Sequence, residues 1–483
     1  MTTIVVVGGG ITGLSAARLL ALDGFEVIVL EATSWWGGKL APIMLNGVRL
    51  DAGAESILAR RPEGVDLIAD LGLAARVVHP TQARPRLLVG GQLHLMPPSL
   101  LGVPTDLTQL AGLLSAEGLR MAVSEPERPA PAFDHDVAIG RYVDERLGAE
   151  VTDRLLEPLL GGVYAGHARL LSFHAVAPEL FQRVRAGGSL VQHAQEVARQ
   201  GQDGPVFAGL VGGVSTLVDT LVDDLVRRGV IMRSGMIVRA VERAGRRFRL
   251  VVGAADAPKM IMADGVLFTA PAPATGRLLS SLVVSAGEFA RLPYASVAVI
   301  TLAARGLRTD ASGVLVPAGE LPTIKALTYS SVKWPWVDSQ ARERWGPGAE
   351  IIRVSVGRHR EATALQLSDQ ALLERTYAEA KKIPGWEASA LVHGTVSRWG
   401  GGLPQYPVGH RDLVARLRGD LTGMPGLAVA GAALDGIGIA ACLGSARAAV
   451  SKLAADLGAS TGSARNIPSG MFESEDQLEE SGR

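Results

Sequence analysis

Residues 4–20, IVVVGGGITGLSAARLL, place a glycine-rich loop between a predicted strand and a predicted helix. The apolar run at residues 4–7 is typical of a strand that is covered on both faces. A second predicted strand, residues 25–30, ends at Glu31. A strand, a Gly-x-Gly-x-x-Gly loop, a helix and an acidic residue further along predict a Rossmann-type dinucleotide-binding unit.

The parts of this loop have separate physical roles. Gly8 permits the tight turn, Gly10 lets a pyrophosphate approach the backbone, and Gly13 lets the helix lie close to the strand. Unpaired N–H groups at the helix N-terminus attract phosphate. Glu31 would accept hydrogen bonds from ribose hydroxyls and repel a 2′-phosphate, so we expect FAD or NAD rather than NADP. The predicted contacts are Gly8, Gly9, Gly10, Ile11, Thr12, Gly13, Glu31 and Ala32.

Further glycine turns favour FAD over a nicotinamide. Gly37 and Gly38 come soon after Glu31, where a glycine pair is unusual in nicotinamide enzymes. Near the end of the chain, a strand and a glycine turn precede a helix whose N-terminus could face a flavin pyrimidine. No second strand with a Gly-x-Gly-x-x-Gly loop exists for NAD(P)H. The further predicted cofactor contacts are Gly38, Lys39, Gly53, Ala54, Glu55, Ser56, Val238, Trp399, Ile437, Gly438 and Ile439.

Composition excludes several classes of protein. Lys plus Arg number 48 and Asp plus Glu number 48, so the formal net charge is zero, which argues against a nucleic-acid-binding protein. The single cysteine, Cys442, excludes an intrachain disulfide and a multi-cysteine metal site, and we expect no metal. Neither a signal peptide nor an apolar run of about 18 residues is evident. We expect a cytoplasmic protein without a transmembrane span, and peripheral membrane contact stays open.

Several segments beyond the glycine loop carry a family resemblance. They are GGVYAG at 161–166, YASVA at 294–298, KALTYSSVKW at 325–334, RVSVGR at 353–358, RW at 398–399 and LPQYPVGH at 403–410. Their series resembles the oxygen-dependent, FAD-containing protoporphyrinogen/coproporphyrinogen III oxidases of haem biosynthesis, within the flavin amine oxidase superfamily. The resemblance covers about residues 1–457. Trp35 stands where the superfamily has Arg, and Ala440 where the family often has Pro.

The resemblance implies a mixed α/β fold. It consists of a Rossmann-type FAD-binding domain of the amine-oxidase/p-hydroxybenzoate-hydroxylase kind, a sheet-based substrate domain and a helical domain. We expect the FAD-binding domain at 1–84, 206–278 and 423–458, the substrate domain at 85–98 and 279–422, and the helical domain at 99–205. Residues 459–483 are expected to form a disordered acidic tail.

The resemblance also implies a reaction. The short Gram-positive type in this family converts coproporphyrinogen III to coproporphyrin III, with non-covalent FAD, oxygen as acceptor and hydrogen peroxide as by-product. A protoporphyrinogen IX oxidase and a flavin amine oxidase are the alternatives, and a non-catalytic flavin or tetrapyrrole carrier is a further one. A ferrochelatase-type partner for the product is left open. We find no His–Asp pair or carboxylate dyad, so no catalytic residue is assigned.

The negative charge of the substrate suggests which side chains would bind the substrate. Coproporphyrinogen carries four propionates and protoporphyrinogen two, and desolvated carboxylates need paired positive charge. Arg60, Arg61 and Lys325 are the predicted partners, Tyr329 is predicted to line the pocket, and Lys333 is a further candidate. Cys442 lies within a predicted helix, which favours a small buried residue over covalent attachment of FAD.

Overall fold

The computed structural model describes residues 1–200 and 204–458. The predicted acidic tail, 459–483, lies outside the described residues. A five-stranded sheet, which we call the cofactor sheet, has all neighbouring strands parallel. Its strands, in spatial order, are Ile231–Arg233, Glu26–Leu30, Thr3–Val7, Gly265–Phe268 and Leu427–Val429. This parallel sheet confirms the predicted Rossmann-type unit.

Both faces of the cofactor sheet are covered, which explains the unbroken apolar run at residues 4–7. Ile4 and Val6 pack on one side with the helices Ile11–Leu22, Thr216–Arg227 and Ile439–Asp456. Val5 and Val7 pack on the other side with an antiparallel sheet. The strands of that sheet are Val238–Ala244, Arg247–Gly253 and Pro258–Ala263.

A seven-stranded sheet, which we call the large sheet, forms the second layer. Its strands, in spatial order, are Ala390–Pro404, Tyr294–Arg305, Ala349–Val356, Ile324–Tyr329, Gly313–Leu315, Arg86–Val89 and Gln92–Leu95. One face packs on the helix Asp369–Ala380 and its neighbours, with Ile300, Val354 and Trp386 in that core. Residues that alternate with this core, such as Arg353, point from the other face of the sheet. Arg353 donates a hydrogen bond to the backbone carbonyl of Gly53.

A helical layer packs on the large sheet, and Leu87 and Leu315 of that sheet lie at its core. Its helical segments are Leu107–Leu110, Ala116–Val123, Glu125–Glu127, Ile139–Leu147, Ala149–Val151, Thr152–Leu156, Glu157–Tyr164, Ala168–Leu170, Phe173–Val176, Pro178–Val184 and Leu190–Arg199. The segment Thr152–Leu156 is a π-helical turn, a feature that often marks functional sites. A short hairpin, Ser99–Leu100 with Val103–Pro104, precedes the layer.

The Pro-rich stretch at residues 124–131 contains a buried carboxylate, although its composition is typical of an exposed loop. Glu125 is fully buried there, and its carboxylate accepts hydrogen bonds from Arg146 and from the backbone N–H of Leu190. Burial of a carboxylate is stable when several donors surround it. Those donors come from elements distant along the chain, so the local composition did not reveal them.

The remaining elements are short or connect the layers. The strands are Pro42–Leu45, Val48–Asp51, Ile57–Leu58, Val77–Val78 and Phe207–Leu210, and the helices are Pro62–Asp70, Ala74–Arg76, Ala272–Leu279, Ala286–Phe289, Ser330–Lys333, Pro335–Trp345, Thr363–Gln366 and His410–Thr422. Within the described ranges, no helix has the length and apolar character needed to cross a membrane.

Two stretches that are predicted in the substrate domain pack in the core on one side of the cofactor sheet. Val283 and Phe289, and Leu413 and Leu417 of the helix His410–Thr422, lie in the same core as Val5 of the cofactor sheet. The boundaries at 279 and 422 stay predictions. The apolar face of an amphipathic helix does not specify which sheet the helix will cover.

Candidate cofactor and substrate site

The first glycine loop, residues 8–13, is packed too closely to accept side chains at two of its glycines. A Cβ on Gly13 would lie 1.9 Å from the carbonyl oxygen of Gly8. Gly8 itself has a φ of +117°, and a Cβ there would lie 2.7 Å from Oγ1 of Thr269. The helix Ile11–Leu22 therefore lies directly against the turn that follows the first strand.

The carboxylate of Glu31 braces this loop. It accepts hydrogen bonds from the backbone N–H of Gly9 at 2.7 Å and from Thr33 through both its N–H and its hydroxyl at 2.8 Å. The backbone of Glu31 also bonds Arg233 and Met236, the latter two residues before Val238. The structure thus brings Glu31 and the exposed Ala32 close to the segment that leads into Val238.

The second glycine pair, Gly37 and Gly38, packs on the first loop. The N–H of Gly37 donates to the carbonyl of Gly9 at 2.8 Å, and a Cβ on Gly38 would lie 3.2 Å from Cα of Gly10. A whole helix and a strand separate the two glycine motifs along the chain. The motifs nevertheless form one continuous surface, which we call the glycine surface.

The turn at residues 51–56 joins the same surface. A Cβ on Gly53 would lie 1.9 Å from the carbonyl oxygen of Lys39 and 3.4 Å from the Trp399 ring. The indole N–H of Trp399 donates to the carbonyl of Ala52 at 3.3 Å. Ala54 is exposed and Ser56 is partly buried. These contacts bring Lys39 and Trp399 to the turn at residues 51–56, which contains four predicted cofactor contacts and which we call the flavin-side turn.

A third glycine turn comes from residues 431–438. The N–H of Gly431 donates to the Ser445 hydroxyl at 3.0 Å, and a Cβ on Gly431 would lie 3.8 Å from Oγ1 of Thr12. The helix Ile439–Asp456 starts after Gly438 and packs along the helix Ile11–Leu22. Ile437 packs on the helical layer.

Two helix N-termini therefore meet at this surface. Gly10 and Gly438 precede the helices, and neither helix start has a side-chain cap from the described residues. A Cβ added at either glycine would meet no described atom within 4 Å. Two uncapped helix ends with open space before them attract anionic and electron-rich groups. The arrangement fits a dinucleotide whose pyrophosphate lies at the first helix and whose ring lies at the second.

Cys442 is the fourth residue of that last helix. Its side chain is 5 % exposed and packs in the core beside Thr12. Burial raises the pKa of the Cys442 thiol, whereas burial lowers the pKa of the neighbouring Lys39 ammonium. Both effects favour the neutral form of the side chain.

An ion cluster supports the flavin-side turn. The Glu55 carboxylate accepts from Lys333 Nζ at 2.7 Å and from Arg353 Nη1 at 2.8 Å. Arg353 also donates to the carbonyl of Gly53. Burial alone would raise the pKa of Glu55, but Lys333 and Arg353 hold it well below its usual range. Sequence reasoning had no role for Arg353, although the alternation of strand Ala349–Val356 places it opposite the core residues.

The predicted substrate residues are scattered. Arg60 is exposed and donates to the carbonyl of Gly204 at 3.1 Å, and Arg61 is exposed and pairs with Glu63 at 2.7 Å. Lys325 is buried at the edge of the large sheet and the helical layer. Within the described ranges, no cluster of His, Cys, Asp or Glu has the geometry of a metal site.

Tyr329 lies away from the site. It is 1 % exposed in the core behind the large sheet, and its hydroxyl accepts from the indole N–H of Trp386 at 2.8 Å. The predicted contact of Tyr329 with substrate stays a prediction, and its ring lies in the core in this structure. Strand alternation places Tyr329 and Leu327 on the core face and Thr328 on the opposite one.

Comparison with known proteins agrees with this geometry. The model of the flavin-containing amine oxidoreductase family matches residues 11–454. This chain belongs to that family. The finding confirms the superfamily inferred from the sequence, and it makes a flavin the expected cofactor class.

Full-length relatives narrow the resemblance. The chain is 36 % identical to the coproporphyrinogen III oxidase of Mycobacterium tuberculosis H37Rv, over 93 % of this chain and 96 % of that protein. It is 28 % identical to the Bacillus subtilis protein of the same name, over 93 % and 97 %. Human protoporphyrinogen oxidase is 29 % identical, over 93 % and 98 %.

Two solved structures share the fold. A candidate protoporphyrinogen oxidase from Exiguobacterium sp. 255-15 is 28 % identical, covers 95 % of this chain and 99 % of its own, and has a TM-score of 0.80. Cyclohexylamine oxidase from Brevibacterium oxydans IH-35A is 15 % identical, covers 95 % and 99 %, and has a TM-score of 0.67. The similarity confirms the predicted mixed α/β fold.

Proposed function

We propose that this chain is an FAD-dependent oxidase that converts coproporphyrinogen III to coproporphyrin III, with oxygen as electron acceptor and hydrogen peroxide as by-product. The observation that carries the proposal is full-length similarity, at 25–36 % identity, to proteins named coproporphyrinogen III oxidase. The proposed partners are the tetrapyrrole substrate and molecular oxygen, and the cytoplasm is the proposed location.

Non-covalent FAD is the cofactor that the glycine surface supports. The first glycine loop would hold the pyrophosphate, Glu31 the ribose, and the start of helix Ile439–Asp456 the flavin ring. Bound FAD supplies the ring that takes electrons from the substrate and passes them to oxygen. Cys442 supports non-covalent binding because its thiol is buried in a helix beside Thr12 and its pKa is raised.

The protein's own residues mainly bind and orient the substrate. Val297, Arg353 and Trp399 lie on the face of the large sheet that turns toward the glycine surface, and each is partly buried. No strong base is needed, because formation of the aromatic porphyrin ring drives the oxidation. Positioning of the reduced ring against the flavin is then the principal contribution.

The test is porphyrin fluorescence in air with the purified yellow protein. Coproporphyrinogen III and protoporphyrinogen IX are supplied separately, and hydrogen peroxide is measured in parallel. We expect faster fluorescence growth with coproporphyrinogen III, and the protein stripped of flavin serves as control. Preference for protoporphyrinogen IX would reverse the substrate within the same family. Peroxide release from amines, without turnover of either tetrapyrrole, would support an amine oxidase instead.

A further inference from the structure

Two buried cationic residues flank Val316, where the large sheet meets the helical layer. Lys325, in strand Ile324–Tyr329, is 6 % exposed, and Arg358, just after strand Ala349–Val356, is 8 % exposed. Neither forms an ion pair with a carboxylate of the described residues. The nearby charge that acts on Lys325 is that of Arg358.

The backbone holds the two cations in place. Arg358 Nη2 donates to the carbonyl of Val316 at 3.1 Å, and the N–H of Val316 donates to the carbonyl of Lys325 at 3.0 Å. Lys325 sits at an irregularity in the strand pairing, between Ile324 and Ala326. Arg358 Nε is buried and has no hydrogen-bond partner in the described part of the chain. The guanidinium thus retains donor capacity for a further acceptor.

These cations border the turn of the helical layer at residues 161–166. A Cβ on Gly161 would lie 3.5 Å from Arg358 Nε, and the N–H of His359 donates to the carbonyl of Ala165 at 2.7 Å. Gly162 and Val163 are exposed in this turn. Because Gly161 has no side chain, residue 161 does not cover this face of the guanidinium.

The same end of the large sheet approaches the flavin-side turn. A Cβ on Gly357 would lie 2.8 Å from the carbonyl oxygen of Ser296, and the next residue, Val297, pairs with Trp399. Trp399 in turn contacts Ala52 and Gly53. Gly357, Val297 and Trp399 therefore connect the two cationic residues with the flavin-side turn.

Burial of two like charges without a counter-charge is unfavourable. Each buried ion loses its hydration shell, and the two cations repel each other. Burial, and then Arg358, lower the pKa of Lys325 to about 7. A carboxylate would offset both costs, since a guanidinium and an ammonium together can satisfy its two oxygens.

We propose that Lys325 and Arg358 form a receptor for a propionate carboxylate of the tetrapyrrole, and that this receptor favours substrates with a propionate at the bound position over those with an uncharged group there. The inference rests on the proposed function and names the contact that selects the substrate. It adds Arg358, to which sequence reasoning gave no role, to Lys325.

The test measures binding rather than turnover. Fluorescence quenching gives the Kd of the FAD-loaded protein for coproporphyrin III and for its tetramethyl ester, in the same detergent-containing buffer. We expect Lys325→Met to weaken binding of the free acid about 10- to 100-fold, the range of one charge-assisted hydrogen bond, and to leave the ester unchanged. Lys325→Arg should restore most of the affinity. Lys382→Met, at an exposed position, is the matched control and should bind as wild type.

Arg358→Gln provides an independent second variant and should show the same selective loss for the free acid. Wild-type affinity for coproporphyrin III in both Lys325→Met and Arg358→Gln would overturn the receptor. Equal losses for acid and ester would also overturn it, because they would indicate a packing defect. Failure of the proposed function looks different, since the wild-type protein itself would then not oxidise coproporphyrinogen III.

Discussion

At the scale of single residues, Glu55 holds the flavin-side turn through charge. We expect Glu55→Gln to lower both FAD retention and the melting temperature, because Lys333 and Arg353 would lose their counter-ion and Arg353 also bonds Gly53. Removing one partner of a buried pair typically costs about 3–5 kcal/mol. FAD release on dilution and thermal unfolding measure the effect.

The control for Glu55 is an exposed ion pair of the same type. Glu288 pairs with Arg416 at 2.7 Å, and both side chains are about half exposed. Such pairs contribute about 1 kcal/mol or less. Glu288→Gln should therefore retain FAD like the wild type, and equal effects of the two substitutions would contradict a special role for Glu55.

The lowered pKa of Lys325 predicts how the KM for coproporphyrinogen III depends on pH. With a pKa of about 7, the side chain is an ammonium below pH 7 and a neutral amine above it. The KM for coproporphyrinogen III should therefore rise between pH 6.5 and 8.5, while Lys325→Arg, which stays charged, should show a flatter profile. Comparing the two proteins removes the titration of the substrate itself. Parallel profiles would contradict the assignment.

At the scale of elements, the first helix depends on its close approach to the first strand. Gly13→Ala would place Cβ at 1.9 Å from the Gly8 carbonyl oxygen, so the helix Ile11–Leu22 must shift. We expect FAD affinity to fall at least tenfold, or about 1.4 kcal/mol, because the phosphate-binding N–H groups move with the helix. Equilibrium dialysis of FAD measures it.

The matched control is another helical glycine. Gly419 lies in the helix His410–Thr422, and a Cβ there would meet no described atom within 4 Å. Gly419→Ala should leave FAD binding unchanged and raise stability by roughly 0.5–1 kcal/mol, since alanine favours a helix. If Gly13→Ala also left FAD binding unchanged, the first loop would not position the cofactor.

At the scale of the whole molecule, His167 links the helical layer to the large sheet. Its Nδ1 lies 3.1 Å from Glu157, its Nε2 lies 2.8 Å from the carbonyl of His359, and the bond to Glu157 raises the pKa of His167. A raised folded-state pKa stabilises the fold fully below the unfolded pKa of about 6.5 and loses this effect as pH rises through the folded pKa. His167→Gln should thus lower the melting temperature more at pH 5.5 than at pH 8.5.

The control for this interface is an exposed histidine. His135 is 72 % exposed in its side chain and lies in a loop, so His135→Gln should show no such pH-dependent difference. A constant difference between wild type and His167→Gln across this pH range would contradict the ion-pair account and indicate a packing role.

Much of the fold and part of the site were predictable from the chain alone. The strand at residues 4–7, the glycine loops and the start of the last helix appear where their patterns place them, whereas Tyr329 faces the opposite side from the one expected. Strand periodicity specified two faces for strand Ile324–Tyr329 but not which of them would be the core. That choice depends on the helices that pack on each side.

By itself, the sequence determined the local structural features. These are strands whose side chains alternate between two faces, a helix that begins after a glycine, and glycines at points where one backbone segment approaches another. These depend on a few adjacent residues and their allowed φ angles. Only the tertiary structure decided the charge partners. Arg353 and Glu55 lie 298 residues apart, and Lys325 and Arg358 come near the same residue, Val316, only because two strands and a turn converge. These charges affect stability and binding strongly because they are buried. Burial is a property of the packed molecule rather than of any single segment.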